Sequence, residues 1–265
     1  MTKLGAVCDH ILEAGWLAAL VTVPLYFNIY SSRVFEPDKL VVLRSIVLMM
    51  CVAYLVKTFE HRDPRSESAS TERVDLTSLI RKWSTVNPLA LPSIALACVY
   101  VIATAVSVSP IVSLWGSYQR LQGTYTFFSY VVLFFIIAHN LRTKAQVDRL
   151  VTVVLLTSLP ASLYGIAQNH HLDPLPWGGD VTIRVASTMG NAIFIAAYLI
   201  MIVPLTLARL VEVVRRWRNW KGPRSADGLG QVIGLSGLLV LLNLILTAFV
   251  VASMKGQNLW WGALP

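Results

Sequence analysis

Residues 89–109 read LALPSIALACVYVIATAVSVS, a run of 21 positions without one acidic or basic side chain. At about 1.5 Å of rise per residue a helix of this length crosses roughly 30 Å of hydrocarbon. Working outward from it, further apolar stretches recur near 14–30, 40–57, 124–140, 150–168, 191–210 and 231–253. Of the seven, five span on a strict reading, and all do once interfacial residues are included. Lipid offers backbone N–H and C=O groups no partner, so closed helices are the form open to such runs. The expected fold is all-α: a polytopic transmembrane helix bundle of about seven spanning helices. It forms a single transmembrane domain over 1–265, with a cytoplasmic linker at 58–86 and an outer-face loop at 169–190.

Composition agrees with this reading. Hydrophobic residues make up 55% of the 265 and charged residues 14%. Soluble domains carry about 45–50% and about 25% respectively. Mean hydropathy is +0.63. The net charge of +8 invites comparison with nucleic-acid binders, but those gather charge on one folded face. Here it sits in particular loops, so no nucleic-acid partner is expected. Cys8, Cys51 and Cys98 each fall in or beside a different apolar stretch, without the short spacings of a zinc site or disulfide framework. They read as small buried hydrophobes. The N-terminus carries only Lys3 and is interrupted by Asp9, His10 and Glu13. No small-residue cleavage site follows its apolar run, so it is not a cleavable signal peptide.

The charges also orient the chain. With the N-terminus inside and seven crossings, Lys3 and the loops 57–82, 141–149 and 209–224 share one side. That side holds 16 of the 22 Lys and Arg. The other side holds Arg33, Lys39, Arg44, Arg120, Arg184 and Lys255. The positive-inside rule then places the N-terminus in the cytoplasm and the C-terminus outside. On the cytoplasmic side, 60–72 (EHRDPRSESASTE) reads as a polar linker. Residues 73–83 form a candidate interfacial helix. Residues 211–220 (VEVVRRWRNW) suit a helix end lying on anionic headgroups.

The outward loops are SSRVFEPDK at 31–39, SPIVSLWGSYQRLQGTYTF at 109–127 and NHHLDPLPWGGDVTIRVASTMGN at 169–191. The third exceeds a minimal connection, and loops of that length are disproportionately functional. Pro174, Pro176, Gly178 and Gly179 mark turns in it, and Trp177 suits the interface. Arg184 is its one cation, just before a helix expected to start near Ser187–Asn191. A helix N-terminus with an adjacent guanidinium makes an anion site. The bland alternative is an interfacial arginine contacting lipid phosphate.

His170 and His171 are adjacent and point different ways. With Asp173 and Asp180 they match no standard metal spacing. They read as a solvated loop edge, and no metal is expected. Arg44 either snorkels outward or faces the bundle interior, where charged residues are usually functional. Spacing leaves both open. His139 reads as interfacial, and Pro24, Pro160 and Pro204 as kinks within spans. No nucleophilic triad, Walker loop, dinucleotide fingerprint or zinc-protease motif is present. No cofactor is expected and no catalytic residue is assigned.

Two segments resemble the O-antigen ligase and polymerase family of bacterial membrane glycosyltransferases. One is SLWGSYQRLQGTYTFFSYVVLFFII, Ser113 to Ile137, where a Gly-x-x-x-Arg-x-x-Gly turn feeds an aromatic helix. The other is RVASTMGNAIFIAAYLIMIVPL, Arg184 to Leu205, an Arg followed by Ser/Thr-x-Gly-Asn and a small-residue helix. The FEPDK turn is similar too, and the likeness extends over most of the chain. It implies a protein of the bacterial cytoplasmic membrane that moves a glycan from a polyprenyl-diphosphate lipid to an acceptor at the outer face. Arg184, Arg120 and Asn191 would bind the lipid diphosphate. Members of the family usually carry more spans and a late outer loop with a catalytic His. The chain is therefore expected to be the N-terminal half of such an enzyme, inactive alone. Two alternatives remain: a non-catalytic membrane subunit, packing through Ala192, Ala196 and Ala197, and a transporter or flippase of a lipid-linked substrate.

Overall fold

The computed structural model describes residues 3–28, 30, 36–60, 88–175, 177, 181–182, 184–219, 234 and 237–247. Among these it is all-α, with no strand. The helices are α1 (Lys3–Leu25), α2 (Glu36–Glu60), α3 (Ala90–Ala105), α4 (Pro110–Trp115), α5 (Thr124–Asn140), α6 (Lys144–Asn169), α7 (Ala192–Arg218) and α8 (Gly237–Thr247). A 3-10 turn, Ser187–Met189, precedes α7. Residues 61–86 of the linker, the interfacial helix expected at 73–83, Asp180 and the terminal SMKGQNLWWGALP lie outside the described residues.

Each of the seven apolar stretches corresponds to a helix. Four helices, α1, α2, α6 and α7, are long and apolar enough to cross a membrane. The apolar α3 and α5 are shorter, at 16 and 17 residues. The described part of α8 is shorter still. Apolar character runs all round α2: Leu40, Leu43, Val47 and Met50 are buried, while Val41, Leu48, Val52 and Leu55 are exposed. A water-facing helix would show a polar stripe there, so lipid is the solvent that fits this surface. The protein is a membrane protein.

Two boundaries differ from those read in the sequence. Helix α1 starts at Lys3, well before residue 14. Its buried residues Cys8, Leu12 and Trp16 recur at i, i+4; His10 is exposed off that stripe, and Asp9 at its edge is paired with Lys57. Polar residues on the uncovered side of a helix do not end it. Helix α7 runs on to Arg218, so 211–218 forms its last turns, with Arg216 paired to Glu212 at 2.7 Å.

The chain divides into two compact units. The first comprises 1–19 and 30–143. Leu12, Trp16, Met50, Ala53 and Ile136 form its core. Gly15 allows close helix approach there, because a Cβ would lie 2.5 Å from Met50 Cγ. At one end of α2, Lys57 donates to Asp9 and to Asn140 Oδ1.

The second unit comprises 20–29 and 144–265. Ala161, Ile195 and Leu199 form one of its cores, and Val154, Leu155 and Ile202 another. Pro160 lies within α6 and has no N–H to give the preceding turn. The Pro160 gap falls at the Leu156 carbonyl, and the Leu155 carbonyl next to it receives Ser158 Oγ at 2.7 Å and Asn243 Nδ2 at 3.2 Å. The single Ser158 hydroxyl proton is shared between that carbonyl and Asn243 Oδ1. Buried polar pairs of this kind hold helices together where lipid supplies no hydrophobic drive. Arg209 joins the start of α6 to α7 through Asp148 at 2.9 Å, and it pairs with Glu212 at 2.8 Å.

Candidate functional site

In the first unit the polar chemistry gathers on the turn between α4 and α5. Gly116 and Gly123 stand back to back. A Cβ on Gly116 would meet Gln122 N at 2.4 Å, and one on Gly123 would meet Gly116 N at 2.3 Å. Gly116 also has φ +87°, a conformation only glycine adopts without cost. Between them Arg120 N and Leu121 N donate to the Ser117 carbonyl at 3.1 and 2.8 Å. Leu121 takes φ +53°. The spacing of the Gly-x-x-x-Arg-x-x-Gly motif is thus the span of one closed turn. Arg120 rides on it with its side chain 71% exposed, 3.9 Å from Glu36. Gln122 Nε2 donates weakly to the same carboxylate at 3.4 Å.

Beneath the turn lies Arg44, which is buried. Its Nε donates to Thr126 Oγ1 at 3.1 Å, and Nη2 donates to the Leu121 carbonyl and to Thr126 Oγ1. The guanidinium carbon is 4.7 Å from the Tyr125 ring centroid, in the range of a cation–π contact. Of the two readings the sequence left open, Arg44 takes the interior one.

In the second unit the segment that follows α6 is anchored by Asp173. Oδ2 accepts from Tyr164 Oη at 2.8 Å, Gln168 Nε2 at 3.1 Å and Trp177 Nε1 at 2.7 Å. Oδ1 accepts from Leu175 N at 3.0 Å, the Asx-turn arrangement. Burial pushes this carboxyl up, but the four donors, Leu175 N–H first, together hold it below its ordinary value.

The two histidines end α6. His171 N donates to Gln168 O at 3.2 Å and Leu172 N to Ala167 O at 3.0 Å, with His171 at φ +58°. That is the Schellman pattern. Among the described residues no His, Cys, Asp or Glu group is arranged to hold a metal.

The segment after Arg184 is buried. Ser187 N donates to Gln168 Oε1 at 2.7 Å, Ser187 Oγ to Ala161 O at 2.6 Å and Thr188 Oγ1 to Pro24 O at 2.8 Å. Gly165 makes room for it, since a Cβ there would stand 2.9 Å from Val185 Cγ1. The Ser/Thr residues of the motif are therefore packing residues. Arg184 is exposed and makes no ion pair or hydrogen bond with another described residue. Asn191 caps α7: its Oδ1 accepts from Ile193 N at 3.0 Å. Arg184 is thus followed by a buried 3-10 turn and then by a helix already capped by its own asparagine.

Arg184 and Asn191 belong to the second unit and Arg120 to the first. The sequence reading missed the Asp173 anchor and the grip of Arg44 on the turn. No family model, no curated protein and no solved structure matches the chain.

Proposed function

We propose that this chain is part of an O-antigen ligase or polymerase-like protein of the bacterial cytoplasmic membrane. It transfers a glycan from a polyprenyl-diphosphate carrier to an acceptor at the outer face, with seven spans, the N-terminus inside and the C-terminus outside. The observation that carries this reading is the glycine-closed turn that leaves the Arg120 side chain largely exposed. The turn spans the Gly-x-x-x-Arg-x-x-Gly motif on which the resemblance at Ser113–Ile137 rests. The exposed Arg184 at the head of the second motif adds support.

Transfer from a lipid diphosphate leaves negative charge on the departing phosphate. Guanidinium groups stabilise such charge and bind phosphate oxygens with two prongs. In this scheme Arg120 on the first unit and Arg184 on the second are each candidate cations for the diphosphate. Asn191, whose Oδ1 is engaged in capping, contributes Nδ2 to a phosphate oxygen. The base that activates the acceptor is unassigned.

The test is a set of chromosomal variants in the organism that carries the gene, with surface glycan read by gel and protein abundance by immunoblot. Arg184→Ala abolishes transfer at unchanged abundance, and Arg184→Lys restores part of it because ammonium lacks the planar fork. Undiminished glycan in Arg184→Ala and Arg120→Ala strains would remove both residues from the mechanism and favour a non-catalytic subunit.

A further inference from the structure

Helix α7 is longer than a bilayer needs. Its 27 residues rise about 40 Å, against roughly 30 Å of hydrocarbon. Positions 192–208 carry no charged side chain, and the charges of the helix all follow: Arg209, Glu212, Arg215, Arg216 and Arg218. The surplus length therefore falls at the C-terminal end, at the depth of lipid headgroups.

The arginines there are not equivalent. Arg209 pairs with Asp148 at 2.9 Å and with Glu212 at 2.8 Å, and Glu212 also takes Arg216 at 2.7 Å. This ladder ties α7 to the start of α6 and occupies both acids. Arg215 and Arg218 are exposed, and among the described residues no carboxylate pairs with either. Three positions apart on one continuous helix, they are neighbours, with Cβ atoms about 5–6 Å from each other. Going back along the helix from Arg218 by four, three and four positions, the same side presents Val214, Val211 and Leu207. Each of these is nearly half exposed. The buried side of α7, with Ile195, Leu199, Ile202 and Thr206, points another way.

We infer that this end of α7 is a selective site for one class of membrane lipid, an anionic phospholipid. Its phosphodiester lies between Arg215 and Arg218, and an acyl chain runs along Val214 and Val211 toward Leu207. Charge complementarity chooses this occupant. A zwitterionic headgroup brings its own cation, which two unpaired guanidiniums repel, and a free anion leaves the apolar track uncovered. The composition of 211–220 pointed to anionic headgroups in general; the pairing on α6 and α7 identifies which two arginines are available and which track leads from them. The assignment is independent of the transferase reading.

The test uses the full chain with Cys8, Cys51 and Cys98 replaced by Ala and a bimane fluorophore on Leu207→Cys, at the foot of the track. It is reconstituted in mixed vesicles of phosphatidylglycerol and phosphatidylcholine, with one or the other lipid brominated on its acyl chains. Bromine quenches only a neighbouring fluorophore, so the two preparations give the relative occupancy of the track by each lipid. The same composition in both leaflets makes the reading independent of orientation. The expected result is a preference for phosphatidylglycerol on the order of ten-fold, since each arginine near an anionic surface is worth about five-fold. The double variant Arg215→Gln, Arg218→Gln brings the preference close to one at unchanged melting temperature. Should it fail to reconstitute, Arg218→Gln alone decides, with an expected loss of about five-fold.

Equal quenching by both lipids in the unsubstituted site means ordinary lipid contact and overturns the inference, as does a preference that survives in either arginine variant. Quenching by neither lipid means that protein covers the track, which overturns it too. Inorganic phosphate, substituted for chloride at constant ionic strength, leaves the preference intact; its loss would show that the arginines take a free anion and would remove the lipid from the site.

Discussion

Asp173 receives four hydrogen bonds on two oxygens, and asparagine cannot replace it. Whichever way an amide turned, its NH2 would face a donor: the Tyr164, Gln168 and Trp177 cluster on one side or Leu175 N on the other. Asp173→Asn should therefore lower stability by about 1–3 kcal/mol, seen as a drop in melting temperature in detergent. The pH dependence follows from the depressed carboxyl. A depressed acid stabilises the fold fully above its unfolded value, near 3.8. It loses that contribution as pH falls through the lower native value. The melting-temperature gap between wild type and Asp173→Asn should be constant at neutral pH and close only below about pH 3.8. A gap closing near pH 6 would show that another group titrates. Asp173 was read in the sequence as part of a solvated edge with His170 and His171. Its role depends on which face of α6 presents Tyr164 and Gln168, and spacing alone does not state that. Arg44 was harder still, because Thr126 is 82 residues away.

At the scale of elements, two backbone features make opposite predictions. His171 holds a left-handed conformation at the end of α6, where glycine is the usual residue. His171→Gly should stabilise the protein by about 0.5–1 kcal/mol through relief of that strain. A lower melting temperature would mean that the imidazole contributes more than the strain costs. Gly123→Ala should do the reverse, since its Cβ has no space beside Gly116 N and Leu114 O. Loss of the turn would show as protease cleavage near Tyr118 at unchanged helix content. The apolar stretches of all seven expected segments were legible because lipid rewards hydrophobicity whatever the neighbours. The start of α7, capped by Asn191, falls where the sequence put it; what spacing did not state is the 3-10 turn before it, shaped by positive φ at Ser187 and Gly190. Those angles are set by contacts with Ala161, Gln168 and Pro24 that only the folded unit supplies.

For the whole molecule, the proposed orientation puts the turn at Tyr118 outside and the α5–α6 connection at Thr143 inside. In the background lacking native cysteines, an impermeant maleimide applied to intact cells should label Tyr118→Cys and spare Thr143→Cys. The opposite pattern would invert the topology. The division of α1 has a consequence for how the protein is made. Residues up to Ala19 belong to the first unit and those from Leu20 to the second. The bond from Thr188 to the Pro24 carbonyl closes over 164 positions. Because the ribosome delivers the chain from its N-terminus, the last turns of the first helix, from Leu20 on, enter the membrane long before their companions exist. They must stay uncommitted while well over a hundred residues are inserted, a delay that makes the second unit the slow one to mature and the first place for quality control to act.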